Sequence, residues 1–214
     1  MKFDEFLDLM DILLGANGCP WDREQTHESL RQYLLEESYE AIEAIDNGDM
    51  AGLREELGDV LLQVVFHAKL AEKAEVFTIN DVIAEVSHKL TSRHTHVFGG
   101  DTVANADDVL KVWEANKQKE RNESPPEAME AVPRALPALM RASKVLKHTP
   151  RPDKTEIVKD LQADLKNLAQ AQDGQSEILG EMFLKLVSLS NVLKVNAELS
   201  LISAIEGLIA EHKN

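Results

Sequence analysis

Apolar residues recur along this chain at intervals of three and four, not two. From Gly52 to Ala74, the residues Leu53, Leu57, Val60, Leu61, Val64, Ala68 and Ala71 form a broad stripe of 3.6-residue period. Such a stripe predicts a helix that wants a partner. The same pattern predicts helices over Lys2 to Leu14, about Ser29 to Ile45, Ile79 to Ser92 and Ala106 to Glu120. Gly15 and the loop Asn17-Gly18-Cys19-Pro20 close the first, and Thr78 or Asn80 caps the fourth. Asn122-Glu123-Ser124-Pro125-Pro126, then Pro133 and Pro137, break the periodicity. Beyond them the pattern predicts a helix over Ala138 to Lys147, a turn at Pro150 to Pro152, a hairpin of Glu156 to Gln170 and Ser176 to Asn196, and a helix from Leu199. The expectation is an all-α chain with a boundary at 121/122. The order short helix, long hairpin, further helix occurs on both sides of that boundary, which suggests an internal repeat.

Within the first expected hairpin, acids fall in two blocks, Glu36-Glu37-Ser38-Tyr39-Glu40 and Glu56-Leu57-Gly58-Asp59. Glu37 and Glu40 are three apart and so share a helix face, as do Glu56 and Asp59. The midpoints of the two pairs are equidistant from Gly48, in the turn-forming stretch Asp46-Asn47-Gly48-Asp49. An antiparallel hairpin turning there brings four carboxylates to one level. An acidic cluster on a helix is commonly a solvated face. Here the acids sit beside Leu34, Leu35, Leu57 and Val60, and bound hard cations would relieve their mutual repulsion. Glu36 points about 100° away from its neighbour and could support a ligand or deprotonate water.

Composition narrows the function. With 38 acidic against 23 basic side chains the formal net charge is -15, which argues against nucleic-acid polymers and anionic membranes as partners. A single cysteine, Cys19, leaves no intrachain disulfide and fits a reducing compartment; the expected location is the cytoplasm. No apolar run approaches the ~18 residues of a spanning helix.

Basic residues gather later. Lys89 and Arg93 lie four apart on one face and could neutralise a polyphosphate, followed by His94, Thr95, His96 and Phe98-Gly99-Gly100. The two histidines read as structural groups. Trp113 could stack on a base or fill the core. No Gly-x-x-x-x-Gly-Lys-Ser/Thr phosphate loop occurs. Glu24-x-x-His27 and Glu85-x-x-His88 have the spacing of a di-iron carboxylate bundle, though Glu24 precedes the expected second helix.

The pattern Glu36-Glu37-x-x-Glu40 followed by Glu56-x-x-Asp59 resembles the EExxE and ExxD signature of the MazG nucleoside triphosphate pyrophosphohydrolases, of the all-α NTP pyrophosphatase superfamily. Gly18-Cys19-Pro20-Trp21-Asp22, Gln25-Thr26, Tyr33-Leu34-Leu35, the run Glu55 to Val65, Arg93-His94-x-His96-Val97-Phe98 and Pro133 to Ala142 are similar to that family too. The resemblance implies a helical-hairpin, four-helix-bundle-like catalytic domain over 1–121, with 122–214 a degenerate repeat. It implies Mg²⁺, with Mn²⁺ able to substitute, on Glu37, Glu40, Glu56 and Asp59. Lys89 and Arg93 would contact the triphosphate, Trp113 would lie near the nucleotide, and Tyr33 and Arg54 would join the substrate contacts. Glu36 would orient or deprotonate the attacking water. The implied reaction is NTP plus water to NMP and pyrophosphate, with broad, house-cleaning specificity, in a homodimer.

Thr95 stands where the family usually has proline, and Ser92 where a second arginine is common. Matching the two hairpins by their expected turns sets Lys159, Asp160 and Ala163 against Glu36, Glu37 and Glu40, and Ile178 and Glu181 against Glu56 and Asp59, so two of four ligands are lost. Alternatives are a pyrophosphohydrolase specific for dUTP, dCTP or phosphoribosyl-ATP, and a helical regulatory or binding protein without turnover.

Overall fold

Twelve α-helices make up the described residues, 2–150 and 152–212, of the computed structural model. They are α1 (Phe3–Leu14), α2 (Pro20–Glu24), α3 (His27–Asp46), α4 (Met50–Lys73), α5 (Ile79–Arg93), α6 (Thr95–Phe98), α7 (Ala106–Arg121), α8 (Pro125–Glu130), α9 (Ala138–Leu146), α10 (Lys154–Gln170), α11 (Gln175–Val192) and α12 (Ala197–Glu211). The chain is all-α, as its periodicity predicts. It divides into two compact units between Lys117 and Gln118, within α7. None of the described helices is long and apolar enough to cross a membrane.

Three short helices escape the periodicity, because one turn carries no repeat to read. In α8 the Pro125-Pro126 pair that breaks the pattern instead begins a helix, where a missing N–H costs nothing. Ser124 and Glu127 close its capping box. Thr78, not Asn80, caps α5: its hydroxyl and N–H exchange hydrogen bonds with Asp81. The α11 helix ends at Val192, short of Asn196, and Lys194 takes a left-handed φ of 56° just beyond. Of the expected turn at Pro150 to Pro152, Arg151 lies outside the described residues.

In unit 1 the α3–α4 hairpin is the central element. Thr26 accepts from the Ser29 N–H to start α3, and Asp49 Oδ1 accepts from the N–H groups of Ala51 and Gly52 to start α4. Gly48 between them has φ +66°, a conformation that costs glycine nothing. Met10, Leu30, Val65, Phe66, Ala68 and Ile79 form the core, drawn from α1, α3, α4 and α5. Burial of each larger member stabilises the fold by about 1.5–3 kcal/mol. Lys69 ties α1 to α4, donating to Asp11 and also pairing with Glu72 on its own helix. Gly18 must be glycine, since a Cβ there would lie 2.1 Å from the Leu13 carbonyl oxygen.

The stripe on α4 is only half covered within unit 1. Val65, Phe66, Ala68 and Ala71 are buried, but Leu57, Leu61 and Val64 remain exposed. On α5, Ile79 is in the core and Val82 packs against it, whereas Ile83, Val86 and Leu90 are exposed.

Unit 2 centres on the α10–α11 hairpin, with Ile157 and Val187 buried and α9 and α12 against α11. Ser143 on α9 donates to the Asn191 side chain on α11 at 2.6 Å, and that amide donates back to the Ser143 carbonyl.

Candidate metal centre and nucleotide site

Helix spacing and the Gly48 turn place the acids as follows. Glu37 and Glu40 lie nine and six residues before the end of α3 at Asp46. Glu56 and Asp59 lie six and nine residues after the start of α4 at Met50. One carboxylate oxygen each from Glu37, Glu56 and Asp59 falls within 4.8 Å of the others, and all three side chains are half-buried. Glu40 is exposed and stands outside that trio, but its charge acts on both Glu37 and Glu56.

Desolvation, then repulsion from Asp59, Glu40 and Glu36, raises the Glu37 pKa above the ordinary carboxylate value. Glu56 is raised by desolvation, then by Glu40, Asp59, Glu37 and Glu55. Among the described residues, the neighbours that act on these two carboxyls are other acids. Gln63 follows Asp59 by four residues, one turn further on the same face. It is 6% exposed, and its Oε1 is buried without a donor. A buried acceptor of this kind calls for an ordered water or an ion. An all-oxygen donor set suits Mg²⁺ or Mn²⁺ rather than a softer metal. The residues fit a divalent cation.

Glu36 is exposed beside Glu37. Tyr33 sits one turn before Glu37, half-buried, its ring edge-on to Trp21 at 6.0 Å and packed against the core. Arg54 is exposed two residues before Glu56, a spacing that faces the other side of α4.

The cations on α5 form a second group. Lys89 pairs with Glu85 on its own helix. The Arg93 guanidinium lies 5.4 Å from the centre of the Trp113 ring, a cation–π contact. His94 meets the same indole edge-on at 4.8 Å and donates through Nδ1 to the Leu90 carbonyl. Asn116, on α7 with Trp113, donates to the Thr95 hydroxyl at 3.0 Å and to the Arg93 carbonyl at 3.5 Å. Trp113 is thus a platform for Arg93, a role the sequence reading did not give it.

The di-iron alternative finds no assembled ligand set among the described residues. Glu85 is engaged by Lys89, and His27 Nδ1 is hydrogen-bonded to His67 Nδ1 at 2.8 Å. Among the described residues, the three-carboxylate group is the one set of three or more donors close enough for an ion. Sequence reasoning missed the His27–His67 pair, because the partners are 40 residues apart and neither belongs to a motif.

The MazG nucleotide pyrophosphohydrolase domain profile matches residues 25–98, which include both acidic blocks, Lys89 and Arg93. The chain is 49% identical over 146 residues to the uncharacterized protein YabN of Bacillus subtilis, covering 68% of this chain and 30% of that one. It is 37% identical over 218 residues to the nucleoside triphosphate pyrophosphohydrolase/pyrophosphatase MazG of Thermotoga maritima, covering 99% of this chain and 84% of that one. The nucleoside triphosphate pyrophosphohydrolase of Escherichia coli K12 is 37% identical over 219 residues, 96% of this chain and 83% of its own. With that identity extending across nearly the whole chain, and the carboxylate hairpin inside the matched segment, this protein belongs to the MazG nucleotide pyrophosphohydrolase family.

Proposed function

We propose that the protein hydrolyses nucleoside triphosphates to nucleoside monophosphate and pyrophosphate, with Mg²⁺ held by Glu37, Glu40, Glu56 and Asp59. The observation that carries this reading is the convergence of Glu37, Glu56 and Asp59 oxygens within 4.8 Å from two helices. When bound there, the metal would neutralise phosphate oxygens and lower the pKa of a coordinated water. Mn²⁺, with the same oxygen preference, would substitute.

The chain's own groups supply the rest. Glu36, exposed at the rim of the cluster, accepts the proton of the attacking water. Lys89 and Arg93 share a face of α5 and offset the charge of the phosphate chain, Arg93 held in place by Trp113. Tyr33 stiffens α3 one turn before Glu37. Arg54 has no contact that assigns it to the substrate, and its place is the outer surface of α4. An indole offers a flat face to any base, which favours broad over base-specific acceptance.

Within unit 1, Leu57, Leu61 and Val64 on α4 and Ile83, Val86 and Leu90 on α5 are exposed apolar residues at helical spacing. A second copy covers them in this reading, and the working unit is a homodimer.

The test is a panel of canonical and modified NTPs with Mg²⁺, resolving NMP, NDP, phosphate and pyrophosphate. NMP and pyrophosphate in equal amounts, lost on chelation, support the reading. NDP with phosphate, or no turnover across the panel, contradicts it.

A further inference from the structure

Among the described residues, one polar side chain is buried with the core: Gln63 on α4, whose Oε1 has no donor. A dry amide oxygen destabilises a fold, and an apolar side chain of the same volume would avoid that cost. The position of Gln63 on its helix says what the oxygen is for. Asp59 precedes it by one turn and His67 follows it by one turn, so the three share a face of α4. That face is turned to α3. Asp59 meets Glu37 across the hairpin within 4.8 Å, and His67 meets His27 across it at 2.8 Å. Gln63 lies between these two cross-hairpin pairs.

The second hairpin shows how far a side chain reaches from this place. Leu179-Gly180-Glu181 and the buried Val187 match Leu57-Gly58-Asp59 and the buried Val65, which sets Lys185 at the place of Gln63. On the facing helices the buried Ile157 matches the buried Leu30, which sets Asp164 at the place of Glu37. Matching by burial thus moves α10 one turn from the register that expected turns give, and leaves α11 unchanged. Lys185 Nζ lies 2.5 Å from Asp164 Oδ2. A long side chain at this position therefore spans the hairpin to the carboxylate that faces it. In α3–α4 the same place ends in a neutral amide, with an acceptor where Lys185 has a donor. An acceptor has nothing to gain from an ionised carboxylate, which gives no proton; its partner is a donor held among the acids. Cations of the Mg²⁺ class keep several of their waters, and those waters donate.

We propose that Gln63 is a positioning residue of the α3–α4 site, its Oε1 accepting a hydrogen bond from a water coordinated to the bound cation and so fixing where that water lies. The proposal rests on the reading of α3–α4 as the metal site, and the experiment separates the two.

Mn²⁺ binding to the full chain is read from the loss of the free-ion resonance, and thermal unfolding is followed with and without Mn²⁺. The forms are wild type, Glu56→Gln, Gln63→Met and Gln63→Glu. Methionine keeps the length of the side chain and removes the acceptor. Gln63→Met is expected to bind Mn²⁺ about tenfold more weakly, the usual worth of a group that holds a metal's ligand in place. Without the ion it is expected to unfold at the same or a higher temperature, since a dry acceptor has gone. Gln63→Glu keeps an oxygen there and is expected to bind Mn²⁺ at least as tightly as wild type, while without the ion it unfolds at lower temperature because the cluster has gained an acid. A glutamine that only packs, or that holds a water unconnected with the ion, gives another result: Gln63→Met then shifts unfolding equally with and without Mn²⁺ and leaves the affinity unchanged. That result overturns the proposal, as does a Gln63→Glu form that binds Mn²⁺ more weakly than wild type. Should Gln63→Met not fold, Gln63→Glu decides alone. Glu56→Gln reports on the ligands themselves. Loss of Mn²⁺ there with Gln63→Met unchanged keeps the site and overturns the role of Gln63, whereas Mn²⁺ retained by Glu56→Gln removes the site and the proposal with it.

Discussion

Arg93 lies over the ring of Trp113, its guanidinium carbon 5.4 Å from the ring centre, although the two are 20 residues apart on different helices. The contact fixes a long, flexible cation at the end of α5, one helical turn beyond Lys89. Lysine cannot reproduce it, being a point charge without a planar face. Arg93→Lys is expected to lower kcat/KM by about 10- to 100-fold, the worth of one charged hydrogen bond. Trp113→Ala is expected to lower it through the same arginine, so the double variant should lose little more than either single one. Steady-state kinetics on the four forms checks both statements, and full additivity would break the proposed coupling.

The His27 and His67 rings are 3° from coplanar, and their centres are 5.1 Å apart with 2.8 Å between the Nδ1 atoms. That separation is what two ring radii and one hydrogen bond make in a straight line, so the rings meet edge to edge in one plane and do not stack. One nitrogen donates and the other accepts, and a second proton on the pair destroys the bond. Burial, then the neighbouring His27, holds His67 below its ordinary pKa of 6.5. The unfolded chain therefore binds more protons near that pH, and stability rises with pH there. Stability is expected to be whole above about pH 6.5, to fall as pH drops from there through the depressed folded value, and to level off below it. Denaturant unfolding from pH 5 to 8 reads the slope, and His67→Phe should flatten it.

Leu61 is 42% exposed on the uncovered half of the α4 stripe. Leu61→Glu places a charge where the proposed second copy packs, while touching no core residue. Sedimentation is expected to show a dimer for the wild type and a monomer for the variant, with helicity kept. A wild-type monomer at micromolar concentration would contradict the homodimer.

Much of this architecture is legible in the sequence, for reasons that differ by element. The nine longer helices announce themselves through period and caps, and the hairpin level of the four acids follows from residue counts about Gly48. Elements of one turn, such as α2 and α6, lack a repeat and stay hidden. The role of Trp113 was equally closed to reading, since an indole in a helix faces core, ligand or arginine according to tertiary placement alone.

The central claim is that the carboxylates of α3–α4 carry out the reaction. Glu56→Gln is the most direct test, because it removes one charge from the trio at nearly constant shape and relieves repulsion on Glu37. The measurement is NMP and pyrophosphate release with saturating Mg²⁺, for wild type and variant at matched helicity and thermal stability. The account predicts turnover by the wild type, a loss of at least about 100-fold in the variant, as expected for removing one group that stabilises transition-state charge, and a fold no less stable than before. A variant that turns over as the wild type does would place the chemistry elsewhere.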